Sequence, residues 1–136
     1  IQLNNDEIFK NIRLIFEPGD AIVKYCGFLL TTIINEKNID NQNILFTDSS
    51  MWVSAPWGVE KPIVLNNNDS KIEYTIMGNT MYYGDCFGKF LLEKKDKGDK
   101  IIFPGFGSYT ISNFRKFHLY EKYREYMIID KIKFKI

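Results

Sequence analysis

Few residues of this chain can bind a metal ion or form a disulfide. The 136 residues include two cysteines, Cys26 and Cys86, and one histidine, His118. Two cysteines this far apart do not suggest a disulfide framework or a zinc knuckle, and their scarcity suits a reducing compartment. A lone histidine has no second ligand at a useful spacing, so we predict no metal site and an ordinary surface or packed role for His118.

An excess of one charge and a long apolar run are also missing. The 18 Lys and Arg residues against 17 Asp and Glu residues give a net charge of +1, which offers nucleic acid no electrostatic attraction. The longest mainly apolar run, residues 27–34, is far shorter than the roughly 20 residues that a membrane helix needs. The first residues do not have the pattern of a signal peptide. We therefore expect a soluble, cytoplasmic protein that binds neither nucleic acid nor membranes.

The chain does contain enough apolar material for a folded domain. Hydrophobic residues make up 45% and aromatic residues 15%, which argues against disorder. A chain of this length is close to the commonest domain size and can bury a core. Because the first residue is Ile1 rather than Met, we expect a truncated or processed polypeptide.

After Gly27 the sequence has the pattern of short strands separated by turns. Residues 28–35 are rich in Leu, Ile and Thr, which predicts a strand buried on both faces, and residues 35–43 are polar and predict a loop. Further strands are predicted at residues 44–47, 63–65, 71–77, 101–103 and within 127–136, and a strand or turn at 87–92. This pattern favours a small β barrel or sandwich.

The first residues have a different pattern. We predict the end of a helix at residues 3–11, a strand at 12–16 that stops at Glu17, and a short helix from Gly19 to about Tyr25. In α/β folds a carboxylate at the end of such a strand points into the ligand crevice. We therefore divide the chain into residues 1–26, the remnant of an α/β barrel, and residues 27–136, a β domain.

Residues 78–88, GNTMYYGDCFG, bring glycines, a carboxylate and a thiol together directly after a predicted strand. Gly78 and Gly84 allow backbone turns that other residues resist. Taken alone, the stretch is either a glycine-rich hairpin with a solvated aspartate or a site built on Asp85 and Cys86. Trp52, in the preceding segment, suggests a hydrophobic lid or an interface.

Three motifs in this order resemble the C-terminal part of the pyridoxal-phosphate decarboxylases of the alanine-racemase-like fold. They are IFEPG at residues 15–19, GNTMYYGDCFG at 78–88 and KGDKIIFPGFGSY at 97–109. The family includes the diaminopimelate, ornithine and carboxynorspermidine decarboxylases, in which a (β/α)₈ barrel precedes a β domain. The resemblance implies a mainly β fold, a Greek-key-like β barrel or sandwich, preceded by the last strand and a short helix of an incomplete barrel.

The resemblance also implies roles for particular residues. Glu17 matches the glutamate that hydrogen-bonds the pyridine nitrogen of pyridoxal phosphate, where a carboxylate keeps the ring protonated. Gly19 lies in the same motif, and Tyr109 matches the tyrosine that contacts the cofactor phosphate. Asp85 matches an aspartate that reaches across a homodimer interface to the distal amine of an amino-acid or polyamine-like substrate.

Several positions depart from the family pattern. Asp20 replaces an arginine, as in the carboxynorspermidine-type members. Met81 stands where a cysteine is expected to protonate the carbanion, and methionine has no proton to give; Cys86 is the nearest thiol and is our candidate catalytic cysteine. Tyr82 replaces a glutamate. Ala55 falls near the carboxylate-binding arginine of the diaminopimelate enzymes, which argues against that substrate.

Three functions follow from these observations. The first is the C-terminal portion of a pyridoxal-phosphate decarboxylase, which cannot act alone because the lysine that holds the cofactor lies on an earlier barrel strand. The second is a non-catalytic homologue that keeps the β domain and binds partners. The third is a free-standing β module in which Glu17 is only a strand-end carboxylate.

Overall fold

The computed structural model describes residues 12–13, 15–56, 58–63 and 71–129, together with the backbone of residues 132–135. The helix end predicted at residues 3–11 and the second half of the strand predicted at 63–65 lie outside these ranges. Ile63, which is described, is not in a strand, although its N–H donates to the carbonyl of Ile102 at 2.9 Å. In the described ranges no helix is long and apolar enough to cross a membrane.

A long hairpin organises the sheet. Strand β1, Phe28–Ile39, turns at Asp40 and Asn41 into the antiparallel strand β2, Gln42–Thr47. Both turn residues have positive φ, 50° and 61°, which is the requirement of a tight type I′ hairpin turn. The loop predicted at residues 35–43 is therefore wrong, because a polar sequence still forms strands where two solvent-exposed segments satisfy each other's backbone hydrogen bonds.

Strand β1 is buried on one face only, against our prediction of burial on both. Leu29, Thr31 and Ile33 point into the core, whereas Phe28 and Leu30 are 57% and 62% exposed. Alternate side chains of a strand point to opposite faces, and among the described residues nothing covers the outer face of β1 at these positions.

Three more strands complete a five-stranded sheet. These are β3, Ile72–Met77, β4, Cys86–Leu92, and β5, Lys100–Pro104, in the spatial order β4-β3-β2-β1-β5. Only β2 and β3 are parallel; the other neighbours are antiparallel. The sheet curls into a half-barrel, which confirms the predicted mainly β class. The strands predicted at residues 44–47, 71–77 and 101–103 are confirmed, and residues 87–92 belong to a strand rather than a turn.

The concave face of the sheet holds the core. Phe103, Ile33, Leu45 and Ile76 are almost completely buried, and the ring of Phe87 stacks on Phe103 with centroids 4.8 Å apart. A separate hairpin near the C-terminus pairs β6, Tyr126–Ile129, with β7, Ile132–Lys135. The single alternating segment predicted at 127–136 is thus two strands.

The segment before β1 differs most from expectation. Residues 12–13 and 15–18 form no strand, and Ile15 and Phe16 are 74% and 71% exposed. A strand needs a neighbour for its backbone hydrogen bonds, and no described strand lies beside this segment. The helix predicted from Gly19 is replaced by two 3₁₀ turns, Gly19–Ala21 and Lys24–Cys26, because Gly19 has a left-handed φ of 59° that an α-helix cannot accept. The division at residue 26 stays a prediction.

Candidate functional site

Two residues to which the family resemblance assigns cofactor binding lie close together in the structure. A β-carbon on Gly19 would lie 3.7 Å from the hydroxyl oxygen of Tyr109. Tyr109 itself has a left-handed φ of 59° and is partly exposed. The fold therefore brings the main chain of Gly19, which has no side chain, close to the hydroxyl of Tyr109 at the surface.

Close packing of Gly27 against Gly107 brings the segments of Gly19 and Tyr109 together. The N–H of Phe106 donates to the carbonyl of Gly27 at 3.0 Å, and the N–H of Gly107 donates to the carbonyl of Lys24 at 2.9 Å. A β-carbon on either glycine would collide with the backbone of the other segment. Only glycine permits this approach, so the contact between Gly27 and Gly107 holds the two 3₁₀ turns against the segment that carries Tyr109.

An ion pair lies beside the two residues. The Nζ atom of Lys24 is 2.7 Å from Oε1 of Glu60 and 4.0 Å from Oδ2 of Asp20. The hydrogen bond to Glu60 raises the pKa of Lys24, and the same bond lowers the pKa of Glu60. Both groups are therefore charged at neutral pH, and Asp20, which replaces the family's arginine, has a cation within reach.

A small cavity of about 100 Å³ opens next to this ion pair. Five residues line it: Asp20, Lys24, Gly58, Gly105 and Ser108. Small-molecule sites usually start at about 300 Å³, so this cavity is large enough for one group of a cofactor and too small for a whole one.

Glu17 is exposed, two residues before Gly19. Its carboxylate has no hydrogen bond or ion pair with the described part of the chain. The structure therefore places Glu17 near the same segment without fixing its side chain, and its role at the pyridine nitrogen stays a prediction.

The connection between β3 and β4 is a tight loop closed by Asp85. The N–H of Gly78 donates to the carbonyl of Asp85 at 2.8 Å, and the N–H of Asp85 donates to the carbonyl of Tyr82 at 2.9 Å. The carboxylate is 1% exposed: Oδ1 accepts from the N–H of Trp52 at 3.2 Å, and Oδ2 accepts from the N–H and the hydroxyl of Thr80 at 3.1 and 2.6 Å. The backbone of residues 78–88 therefore forms the predicted glycine-rich hairpin. The prediction that its aspartate is solvated is wrong, because Asp85 is buried.

The tip and the base of this loop carry the two sulfur residues. Met81 is fully exposed with a left-handed φ of 58°, whereas Cys86 is half-buried as the first residue of β4. Cys86 pairs with Met77 across the strands. Its predicted catalytic role is not tested by this arrangement and stays a prediction.

An aromatic cluster with an arginine lies against the loop and was not singled out from the sequence. The ring of Trp52 lies 4.8 Å from that of Tyr82, which in turn lies 4.9 Å from Tyr83. The guanidinium carbon of Arg115 lies 4.2 Å from the centroid of Trp52. The sequence singled out Trp52, as a lid or interface, and Tyr82, in place of a glutamate, but did not connect them. Arg115 gave no signal, because its partner lies far away along the chain.

Trp52 is held by a short helix, α1, Met51–Ser54. Ser50 caps the helix, because its hydroxyl accepts from the N–H of Val53 at 3.0 Å. The carbonyl of Ser50 accepts from the hydroxyl of Tyr123 at 3.1 Å. The hydrogen bond from the N–H of Trp52 to Asp85 joins the helix to the loop.

Comparison with known families identifies the domain. The family model of the pyridoxal-dependent decarboxylase C-terminal sheet domain matches residues 21–107, more than half of the chain. The chain belongs to this family. The match contains the Gly27–Gly107 contact, helix α1 and the Asp85 loop of this sheet domain. No curated protein matches the sequence.

Solved structures show the same fold for the sheet domain. A diaminopimelate decarboxylase from M. jannaschii in complex with L-lysine is 22% identical with a TM-score of 0.78, and the match covers 88% of this chain and 29% of that one. A lysine/ornithine decarboxylase from Vibrio vulnificus complexed with cadaverine is 18% identical with a TM-score of 0.66, over 78% and 31%. A carboxynorspermidine decarboxylase from Campylobacter jejuni complexed with norspermidine is 25% identical with a TM-score of 0.62, over 76% and 33%. The sheet domain thus spans about a third of the length of these enzymes.

Proposed function

We propose that this chain is the part of a pyridoxal-phosphate-dependent decarboxylase that completes the cofactor site and meets the substrate, an amino acid or polyamine-like amine. The observation that carries the proposal is the proximity of Gly19 to the hydroxyl of Tyr109, because the two residues come from separate motifs of the family. In this proposal the (β/α)₈ barrel and the lysine that holds the cofactor belong to the preceding part of the enzyme. A cytoplasmic location stays a prediction from the sequence.

The residues present fit the phosphate end of the cofactor. Tyr109 offers a hydroxyl donor, Gly19 leaves the main chain uncovered beside it, and the adjacent cavity holds one group rather than a whole ligand. Glu17 would hold the pyridine nitrogen as a cation. Bound pyridoxal phosphate supplies an electron sink for the loss of carbon dioxide, and these three residues bind and orient it.

The proposed substrate contacts have less structural support than the proposed cofactor contacts. The relatives named above were solved with lysine, cadaverine and norspermidine, which supports an amine-bearing substrate for the whole enzyme. The proposed contact of Asp85 with a substrate amine across a homodimer interface requires its carboxylate to leave Trp52 and Thr80, so its hydrogen bonds do not favour that role. Exposed apolar side chains on β1 support a homodimer.

Substitution of Tyr109 tests the proposal. In the full polypeptide we expect Tyr109→Phe to weaken pyridoxal phosphate binding at least about tenfold, because a hydrogen bond to a charged group is worth about 1.5–3 kcal/mol. Binding is measured by the absorbance of the cofactor. Tyr25→Phe is the matched control, since Tyr25 is an exposed tyrosine of the neighbouring 3₁₀ turn whose hydroxyl donates to Glu60. A protein that does not bind the cofactor, or whose affinity is unchanged by Tyr109→Phe, contradicts the proposal.

The second candidate is a non-catalytic homologue, and the observation that favours it is Met81. The family's proton-donating cysteine is replaced here by a side chain without an ionisable proton, fully exposed at the loop tip. This candidate predicts that the full polypeptide binds pyridoxal phosphate but releases no carbon dioxide from basic, acidic or neutral amino acids. Release from any of them dismisses it.

A further inference from the structure

The loop between β3 and β4 offers no free carboxylate to an amine. Both oxygens of Asp85 accept hydrogen bonds from within the chain, and the side chain is buried. Tyr82 stands where the family has a glutamate, and residues 78–84 contain no acidic side chain. An amine-bearing substrate that meets this loop must therefore be bound by other groups.

A groove beside the loop has the size and the walls for an alkyl amine. Its volume is about 420 Å³, which is within the range of small-molecule sites. The walls are mainly apolar, with aliphatic or aromatic surface from Ile34, Phe46, Met77 and Met81, and no Asp or Glu of the described chain lines them. Such walls favour a chain of methylene groups, because apolar surface is removed from water on both sides.

Two tyrosines of the loop, Tyr82 and Tyr83, belong to the lining of this groove. The centroids of their rings are 4.9 Å apart, and the rings are tilted by 58° to each other. A cation is attracted to an aromatic ring when it lies within about 6 Å of the centroid, so one ammonium group can contact both rings. Tyr83 is 86% exposed, which leaves its ring open to a ligand.

The ring of Tyr82 is held in place by its neighbours. It lies 4.8 Å from the ring of Trp52, and a β-carbon on Gly84 would lie only 2.6 Å from its Cε1 atom. A hydrogen bond with Tyr83 raises the pKa of Tyr82, so this phenol is uncharged at neutral pH. The loop therefore presents a pre-organised aromatic surface, and pre-organisation lowers the entropic cost of binding.

Two cations near the loop lie on aromatic rings rather than beside carboxylates. The Nζ atom of Lys37, in the lining of the groove, is 5.8 Å from the centroid of Phe46, and the guanidinium carbon of Arg115 is 4.2 Å from the centroid of Trp52. Neither has an ion-pair partner among the described residues. Both are exposed, so water and salt screen their repulsion of a further cation.

We propose that the distal ammonium of the substrate binds to the rings of Tyr82 and Tyr83 while its carbon chain lies in the groove. The inference rests on the proposed decarboxylase function and replaces the contact with Asp85 by a cation–π contact. A ring attracts the positive charge and needs no N–H donor, whereas a carboxylate binds a primary ammonium through its N–H groups. Methylation of the distal nitrogen should therefore be tolerated.

Three ligands that differ at one end test the proposal. The full polypeptide, mixed with pyridoxal phosphate, is titrated calorimetrically with cadaverine, with the same diamine trimethylated on one nitrogen, and with the analogue in which an uncharged carbon replaces that nitrogen. We expect the trimethylated diamine to bind at least as tightly as cadaverine to within about threefold, and the uncharged analogue to bind at least about threefold more weakly than the trimethylated diamine. A larger loss on trimethylation, equal binding of the uncharged analogue, or no binding of any of the three overturns the proposal.

Variants of Tyr83 assign the effect to the ring. Tyr83→Leu should weaken binding of the trimethylated diamine about three- to thirtyfold, whereas Tyr83→Phe keeps the ring and should keep the affinity. The fold should survive both changes, because the side chain is exposed. Tyr25→Leu is the matched control and should leave the affinity unchanged, since Tyr25 is an exposed tyrosine that lines neither cavity.

Equal affinities of Tyr83→Leu and the unsubstituted protein, or equal losses in Tyr83→Leu and either Tyr83→Phe or Tyr25→Leu, also overturn the proposal. Cofactor loading is scored separately by absorbance. Its failure contradicts the decarboxylase function, while the titrations decide the role of the two tyrosines in either case.

Discussion

The carboxylate of Asp85 accepts three hydrogen bonds in a place from which water is excluded. A buried charge is expensive unless donors surround it, and here all three donors belong to one loop and one helix. Gly78 must lack a side chain, because a β-carbon there would collide with this carboxylate. Asp85 therefore fixes the loop that presents Met81 and Tyr82.

Asp85→Asn should destabilise the domain by about 1–3 kcal/mol. An amide group in place of one oxygen sets a donor against the N–H donors of Trp52 or Thr80, and an unsatisfied buried group costs about that much. The free energy of unfolding in urea measures the loss. Glu73→Gln, an exposed carboxylate on β3, is the control and should change stability by less than about 0.5 kcal/mol. Equal stability of the two variants would show that Asp85 does not hold the loop.

Asp48 couples the fold to pH. Partial burial alone raises the pKa of its carboxyl, but hydrogen bonds from the hydroxyl of Thr31 at 2.6 Å and the N–H of Thr32 at 2.8 Å, together with Lys100, outweigh burial and lower it. A pKa lowered by folding contributes stability above the unfolded value, about 3.9, and that stability is lost as the pH falls through the folded value.

Asp48→Asn should therefore make the free energy of unfolding less dependent on pH in acid. The unfolding free energy of the unsubstituted domain should fall more steeply below about pH 4 than that of the variant. Urea titrations across this range measure the two slopes. Asp40→Asn, in the exposed hairpin turn where asparagine also accepts positive φ, should keep the steep slope. Identical slopes for Asp48→Asn and the unsubstituted domain would assign the acid sensitivity to other groups.

At the scale of elements, the candidate cofactor site depends on how two connecting segments pack. Neither Gly19 nor Tyr109 lies in a strand. β1 and β5 are antiparallel neighbours, with Phe28 opposite Pro104. The segment before β1 and the segment after β5 therefore lie at the same end of the strands. Gly27 and Gly107 then allow those segments to touch.

Gly107→Ala should separate the two segments. The added methyl group would collide with the carbonyl of Val23, and strain of this kind costs about 1–3 kcal/mol. Thermal unfolding measures the loss of stability, and the affinity for pyridoxal phosphate should fall with it because Gly19 moves away from Tyr109. Gly58→Ala, where a β-carbon meets no atom within 4 Å, is the control for stability. A stable Gly107→Ala variant with unchanged cofactor affinity would contradict this account.

At the scale of the whole molecule, the outer face of β1 is apolar and exposed. Phe28 and Leu30 are more than half exposed, and Ile34 continues the row on the same strand. Contiguous apolar surface of this kind marks a place where another surface packs. The proposed homodimer supplies one such surface.

Leu30→Glu should weaken the proposed homodimer at least about tenfold, because burying a carboxylate without a partner costs several kcal/mol. Leu30 points away from the core, so the fold should survive, as far-UV circular dichroism would show. Sedimentation of the full polypeptide measures the dissociation constant. Gln42→Glu adds the same charge at an exposed position at the start of β2 and should leave the dimer intact. An unchanged dimer in Leu30→Glu places the interface elsewhere.

The sequence by itself determined the family, the mainly β class and the position of the strands with alternating or apolar patterns, such as β3 and β5. These properties depend on local periodicity and on short motifs, which are present in the order of the residues. Polar strands and the two-turn segment after Gly19 were predicted wrongly, because hydrogen-bonding partners and left-handed backbone positions are not visible in local composition. The strand at residues 12–16 failed for a related reason, since no described neighbour pairs with it.

Only the tertiary structure decided which side chains of the motifs are buried and which are exposed. Asp85 and Tyr82 lie three residues apart in one glycine-rich stretch, and nothing in that stretch says which of them is buried. The buried one is chosen by Trp52 and Thr80, whose N–H groups converge on the carboxylate from a helix and a loop. Arg115 meets Trp52 only because the chain returns to helix α1 after β5. Contacts between distant residues depend on the path of the whole backbone, and for that reason the sequence could name the motifs but not the surroundings of their charged groups.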